Sequence, residues 1–394
     1  MRICYYGSYD LSEPHNSTFL WAIRKRGLSV TEIGADPLKG RASAERFRNP
    51  GKLAAFLFRF FFDAVKLFSR LWRAGKQDAV IVGYPGYFDL PLAAVFCRLK
   101  GLPLFFNIHI SLYETLVLDR KIVCPNSPLA VWMKFYDRML MKLCNAVIVD
   151  TNCHGEFYSR LYGISADRFY RVFIGADDEF KPVLHRPKKT LVILFYGSFI
   201  PLQGIEYIIR AASLLRGQSA LQFEIIGRGQ CRDDMLALAA RLRLKNVHFV
   251  EWVERPELVK RIGRADICLG GQFGTSKKAD LVIGYKCYQM MACGKPLIVS
   301  ASRGNRELLT HMHDCYMCSA GSAHSLADAI LVLAGNPELR SRLGKNALKT
   351  YRKECSDEQI GLLLHQLIAK HVAGGRKKTK MRHFRKKKSC GKSG

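Results

Sequence analysis

Residues Ile283–Glu307, IGYKCYQMMACGKPLIVSASRGNRE, decide how this chain is read. Tyr285 to Ala292 is short and mostly apolar, with Lys286 and Gln289 three apart on one helical face. Gly294 and Pro296 stop that helix, and Leu297-Ile298-Val299 reads as a strand buried on both faces. A loop of small residues follows, with Glu307 near the start of another helix. In an open α/β sheet ligands bind beyond the carboxyl ends of the strands. Polar residues flanking such a strand end therefore mark a candidate site.

Outward from this stretch, strand and helix patterns alternate along the whole chain. In the first half, strands are expected at Arg2–Tyr6, Ser29–Ile33, Ala79–Val82, Leu104–Asn107, Ala146–Asp150 and Tyr170–Ile174, most of them separated by helical patterns. Two prolines and a charge cluster in residues 181–189 read as an interdomain linker. The alternation then restarts at Leu191–Tyr196 and Gln222–Ile226 and runs to a last helix, Asp357–His371. Such alternation predicts an α/β protein with parallel, doubly wound sheets. At 394 residues the chain is too long for one core, so two domains with a cleft between them are expected.

Charge and composition narrow the function. The net charge is +29, and residues 375–394 hold ten Lys or Arg and no acid. A tail of that composition cannot bury a core and is expected to be disordered. Residues 41–76 mix basic residues (Arg46, Arg48, Lys52, Arg59, Lys66, Arg70, Arg73) with phenylalanines and Trp72, as in segments that lie on membranes or bind nucleic acid. An ordinary amphipathic helix packed on its own sheet accounts for the pattern equally well. Anionic lipid attracts such a segment, and with the tail it predicts a membrane surface as partner. No secretory signal is read at the amino terminus, and the longest apolar window, Leu53–Phe62, is about half a membrane span. Thirteen scattered cysteines fit a reducing cytoplasm, and Cys315-x-x-Cys318 lacks the second pair a zinc site needs, so no metal is expected.

Three further stretches carry chemistry. Phe195-Tyr-Gly197-Ser-Phe-Ile-Pro-Leu-Gln203-Gly204 is a strand, a glycine-bounded loop and a helix start, an arrangement that can take a phosphate. Gly227-Arg228-Gly229 repeats it one unit later, without the third glycine of a dinucleotide fingerprint. Phe105-Phe-Asn107-Ile-His109 places an amide and an imidazole just past a buried strand.

The order of these blocks from Leu191 to about Cys355 resembles the nucleotide-sugar domain of glycosyltransferase family 4; the first half resembles the acceptor domain more loosely. The resemblance implies a GT-B fold of two Rossmann-like domains. They would be an acceptor-binding domain (1–185) and a nucleotide-sugar-binding domain (186–355), followed by a helix (356–373) and the basic tail (374–394). It implies that Gly197, Gly204 and Gly227-Arg228 lie against the donor, that His109 stands near the reacting sugar, and that Glu307 matches a family glutamate. Asn107 is grouped with His109 as a candidate catalytic residue. The family's two glutamates eight apart are missing: their positions hold Leu281 and Gln289, with Asp280 one residue out of register. Gln203 stands where a lysine is common. A diphosphate needs a cation, so Lys286, Lys277 and Lys278 are the candidates, and Lys286 with Gln289 is assigned to diphosphate and ribose.

The expected function is transfer of a sugar from a UDP- or GDP-sugar to a lipid-linked or polysaccharide acceptor, with retention and without a metal. The donor is a substrate, and no cofactor is expected. The expected location is the cytoplasmic face of the membrane, with no nucleic-acid partner. The rival reading is a non-catalytic GT-B-like protein that binds nucleotide sugar or uses its charge to hold nucleic acid or a membrane assembly.

Overall fold

The structure is a computed structural model that describes residues 1–11, 13–35, 50–183 and 190–390, without the side chains of 50–61 and 375–390. Outside the described residues lie much of the aromatic-basic segment, most of the expected linker and the basic tail's side chains. The chain forms two compact units: Met1–Val149 with Gly155–Val172 and Ile360–Gly394, and Asp150–His154 with Phe173–Gln359. The last helix thus belongs to the first unit, although it follows the second in sequence.

In the first unit, β1 (Arg2–Ser8), β2 (Ser29–Ala35), β3 (Ala79–Val82), β4 (Leu104–Asn107), β5 (Ala146–Val149) and β6 (Phe169–Arg171) form one parallel sheet ordered β2-β1-β3-β4-β5-β6. The side chains alternate between two cores, as the pleat requires. Cys4, Tyr6, Val80, Val82 and Phe106 face one side, where α2 (Pro50–Arg73), α3 (Leu90–Lys100), α4 (Pro128–Leu143) and α5 (Asn152–Tyr162) pack. Ile3, Tyr5, Ala79, Ile81 and Phe105 face α1 (Pro14–Lys25) and the last helix. That helix contributes Ile360, Leu364, Leu367 and Ile368, an i, i+4, i+7, i+8 stripe. Burying this stripe is what returns the carboxyl-terminal segment to the first unit.

The second unit repeats the plan. β7 (Leu191–Tyr196), β8 (Leu221–Ile226), β9 (Val247–Val250), β10 (Ile267–Gly271), β11 (Leu297–Ser300) and β12 (Tyr316–Cys318) form a parallel sheet ordered β12-β11-β10-β7-β8-β9. Helices α6 (Ile205–Leu214), α7 (Arg232–Arg241), α8 (Arg255–Arg264), α9 (Lys277–Leu281), α10 (Tyr285–Ala292) and α11 (Arg303–Arg306) connect the strands, α12 (Ala323–Ala334) and α13 (Pro337–Glu354) follow the last one, and α14 (Asp357–Cys390) ends the described chain. The Gly-Lys-Pro stop works as read: Gly294 adopts φ +67°, and its N–H and that of Lys295 donate to the carbonyls of Met291 and Met290.

Both sheets reverse direction once. The first strand has its successor on one side and a later strand on the other, which opens a crevice at the carboxyl ends of β1 and β3 and of β7 and β10. Among the described residues no helix is long and apolar enough to cross a membrane.

Candidate functional site

In the second unit the crevice between β7 and β10 is lined by glycine and holds one lysine. Gly197 follows β7 at φ +148° and Gly271 ends β10 at φ +79°. A Cβ at Gly271 would come within 2.8 Å of the Lys286 Nζ, and one at Gly197 within 3.4 Å. The ammonium therefore fills the gap the two glycines leave. It arrives there from the first turn of α10, passes 4.5 Å above the Phe195 ring and donates to the Gln203 Oε1. Lys286 is buried, and that burial, with Cys287 acting the other way, brings its pKa down to about 8. Among the described residues its side-chain acceptor is a neutral amide, and no carboxylate pairs with it there. A buried cation held so would gain strongly from an anion.

Gln289 lies one turn on, where its Oε1 accepts from the Tyr196 hydroxyl at 2.8 Å. This contact ties α10 to the last residue of β7. Its amide N–H groups remain donors. Gly204 holds φ +64° as the residue before α6, and a Cβ there would sit 2.4 Å from the Gly274 nitrogen. The need for glycine at Gly227 has a similar origin, because its Cβ would lie 1.9 Å from the Gly197 carbonyl oxygen. The glycines thus let two strand-end loops and the α6 entry pack backbone to backbone. Arg228 is exposed, with its guanidinium 4.8 Å over the Trp252 ring.

Glu307 has a structural task. Its two carboxylate oxygens accept from the backbone N–H groups of Asn152 and Cys153, at 2.8 and 2.7 Å, at the start of α5. Asp280 pairs with Arg303 through both its oxygens, and the Leu281 carbonyl accepts from the Thr151 hydroxyl. The acids near the family's glutamate positions are therefore engaged, and the lysine side of the crevice has none among its described contacts.

In the first unit the crevice between β1 and β3 is built differently. Asn16 satisfies its whole amide there: Oδ1 accepts from the Tyr5 hydroxyl (2.7 Å) and the Tyr84 N–H (3.0 Å), while Nδ2 donates to the carbonyls of Asp10 and Tyr84. Asn107, fully buried at the end of β4, donates to the Tyr5 hydroxyl (3.2 Å) and the His15 carbonyl (3.1 Å). Its Oδ1 is buried without a hydrogen-bond partner. The His109 ring lies 4.2 Å from that of His15 and 5.6 Å edge-on from that of Tyr84. Asn107 and His109 are thus brought into one cluster with His15.

The loop that carries His109 is pinned from beneath. Asp137 of α4 accepts from the N–H groups of Leu112 and Tyr113 and from the Tyr162 hydroxyl. Tyr162 also pairs with Ser111 Oγ at 2.6 Å, and Tyr158 donates to Glu114. Burial pushes the Asp137 carboxyl up to about 6 in spite of these hydrogen bonds.

Sequence reasoning missed four members of these sites. His15 opens α1 and carried no signal beyond its place after a strand. Tyr84 and Phe195 sit where apolar residues end strands. Gln272, buried at φ +52° just past β10 with Oε1 unpaired, stands beside Gly284 at the start of α10. Its sign in the sequence was a lone polar residue between Gly-Gly and Phe-Gly.

Comparison with known proteins places this geometry in context. Residues 176–350 match the family described as Glycosyl transferases group 1. An alpha-D-kanosaminyltransferase of Streptomyces kanamyceticus is 25% identical over 267 residues, 64% of this chain and 66% of that protein. The lipopolysaccharide core biosynthesis glycosyltransferase LpsD of Rhizobium meliloti is 26% identical over 178 residues, 45% and 49% of the two chains. The chain therefore spans about half to two thirds of these curated relatives. Among solved structures, sucrose-phosphate synthase from Thermosynechococcus elongatus superposes with a TM-score of 0.70 at 18% identity, covering 95% of this chain and all of that one. HepE of Anabaena in complex with UDP superposes at 0.66 and 15% identity, covering 94% and 100%. These structural likenesses establish the GT-B fold.

Proposed function

We propose, from the match of residues 176–350 to the glycosyl transferases group 1 family, that the chain transfers a sugar from a nucleoside-diphosphate-sugar donor. The observation that carries this is the Lys286 ammonium in the glycine-lined crevice between β7 and β10. A nucleoside diphosphate supplies the anion this buried cation lacks. HepE, of the same fold, is described in complex with UDP and with UDP-glucose, which supports a uridine nucleotide as the first donor to try.

Lys286 takes the diphosphate in this reading, released from Gln203 or sharing it, and Gln289 donates its amide hydrogens to ribose hydroxyls while Tyr196 holds its oxygen. In the reaction the bond between the sugar's anomeric carbon and the diphosphate oxygen breaks, and its electron pair stays on the diphosphate. The acceptor hydroxyl bonds to that carbon on the same face and gives up its proton. Lys286 neutralises the charge that grows on the leaving group. His109, with Asn107 and His15 around it, steadies the sugar or handles the acceptor proton. No resident metal is needed where a fixed ammonium neutralises the diphosphate. The acceptor is a lipid-linked or polysaccharide glycan at the inner face of the membrane; the lipopolysaccharide enzyme among the relatives and the basic segments support this.

The test is a panel of UDP- and GDP-sugars with purified protein, scored for released nucleotide with and without candidate acceptors. Release from one donor supports the reading. Nucleotide binding by calorimetry without release from any donor would leave the non-catalytic alternative standing instead.

A further inference from the structure

The helices on one side of the first sheet share an inner core and leave an unusual outer face. Leu67 and Leu71 of α2, Ala93 and Cys97 of α3, and Leu140 and Met141 of α4 all enter the same core. Their opposite stripes therefore point away from the sheet in a single layer. Those stripes are apolar: Phe62, Val65 and Trp72 on α2, Val95 and Leu99 on α3, Val131, Trp132 and Phe135 on α4. All eight are between 46% and 68% exposed. In the second unit the exposed large hydrophobic side chains are fewer, such as Leu214 and Trp252, and occur singly or in pairs. A run of exposed aromatic and branched side chains over three adjacent helices is the kind of patch that marks an interaction surface.

The charge on the layer chooses the partner. From Phe62 onward α2 exposes Lys66, Arg70 and Arg73; α3 exposes Arg98 and Lys100; α4 exposes Lys134, Arg138 and Lys142. The acids within these stretches are Asp63, half-buried, and Asp137, turned inward to the Tyr113 N–H. Among the described side chains of the three helices, every exposed charge is thus positive. The cations are interleaved with the rings, as where the Lys100 Nζ lies 4.9 Å over Trp72 and links α3 to α2. The Trp132 ring stacks on Tyr136 at 5.0 Å, and Phe88 lies 5.8 Å from the same ring.

We infer that the outer face of α2, α3 and α4 docks on an anionic lipid bilayer. Its rings and branched side chains would enter the interface while the Lys and Arg heads reach the phosphates. A second copy of the chain is a poorer occupant, because a two-fold contact would set this basic face against itself. Nucleic acid would match the charge, yet it would leave Val95, Leu99 and Val131 with nothing apolar to cover them. The inference takes its partner class from the membrane reading above and assigns it a surface. It uses no residue of the donor crevice.

The experiment is co-sedimentation of the full chain with vesicles of phosphatidylcholine alone and of equal parts phosphatidylcholine and phosphatidylglycerol. Wild type is compared with Leu99→Ser/Phe135→Ser and with Lys100→Glu/Lys134→Glu, each checked for an unchanged melting midpoint. The expected result is binding to the mixed vesicles only, weakened at least tenfold in both variants. The charge variant alters only exposed side chains, so it stays informative if the apolar one fails to fold. Wild-type partitioning of both variants would overturn the inference and assign the binding to the basic segment 375–394. So would a wild-type dimer that the apolar variant dissociates without altering vesicle binding. Loss of UDP binding in either variant bears on the donor reading and leaves this comparison intact.

Discussion

The two units use the same sheet plan and fill its crevice with opposite chemistry. Between β7 and β10 the walls are glycine backbone, and a single buried lysine occupies the space they leave. Between β1 and β3 the walls are amides and rings, Asn16, Asn107, His15, His109 and Tyr84. A parallel sheet supplies the same crevice wherever its strand order reverses. What the crevice can bind depends on the few side chains that reach it. One is suited to an anion approached by backbone; the other is suited to neutral hydroxyl groups and a proton.

This contrast can be broken in order of expected effect. His109→Ala should lower turnover by about 100- to 10,000-fold, the usual worth of a proton-transferring side chain, while UDP affinity stays within about twofold. Equal losses in both would show that His109 merely supports the fold. Lys286→Ala should do the converse, weakening UDP by roughly 2–4 kcal/mol in calorimetry, the scale of a lost buried charge-to-phosphate contact. Unchanged affinity would remove the anion-site assignment altogether. Asp137→Ala leaves the N–H groups of Leu112 and Tyr113 without their acceptor and should cost about 2–3 kcal/mol in urea unfolding. If the loop they pin carries a working imidazole, turnover should fall in the same variant even where it is fully folded.

The mildest test is pH. Lys286 has a free-state pKa near 8, so it is charged below that value and neutral above it. Phosphate binding favours the charged form, so UDP affinity should hold from pH 6 to about 7.5 and decline as pH rises through 8, by up to about tenfold per unit. Lys286→Arg, which stays charged, should flatten that decline. A wild-type profile that is flat to pH 9 would mean another cation carries the binding.

Much of the architecture was legible. Strands such as Leu104–Asn107 and Ala79–Val82 are short apolar runs between punctuating residues, and the structure has them at those bounds. The Gly294 stop was equally clear, because few residues but glycine adopt φ +67° without cost. The site was legible in part. Gln203 stood out as a substitution in the family pattern and Lys286 as a candidate cation, but their mutual contact spans 83 positions and has no local sign. Gln289 was assigned to a ligand, and its oxygen is held by Tyr196. Glu307 matches a family glutamate by its position in a motif, and in the structure its oxygens accept from the first N–H groups of α5. A carboxylate near a helix start in sequence does not say which helix it will serve.

The sequence by itself determined the class of fold, the two-fold repetition of strand and helix, and the Gly-Lys-Pro stop after α10. Those follow from local physics: the periodicity of burial, the stereochemistry of glycine and proline, and the charge of each segment. Only the tertiary structure decided that Lys286 lies between Gly197 and Gly271, that His15 meets His109, and that the last helix packs under the first sheet. These are meetings of residues distant in sequence. They are settled by which crevice each strand order opens and by which apolar stripe finds a partner.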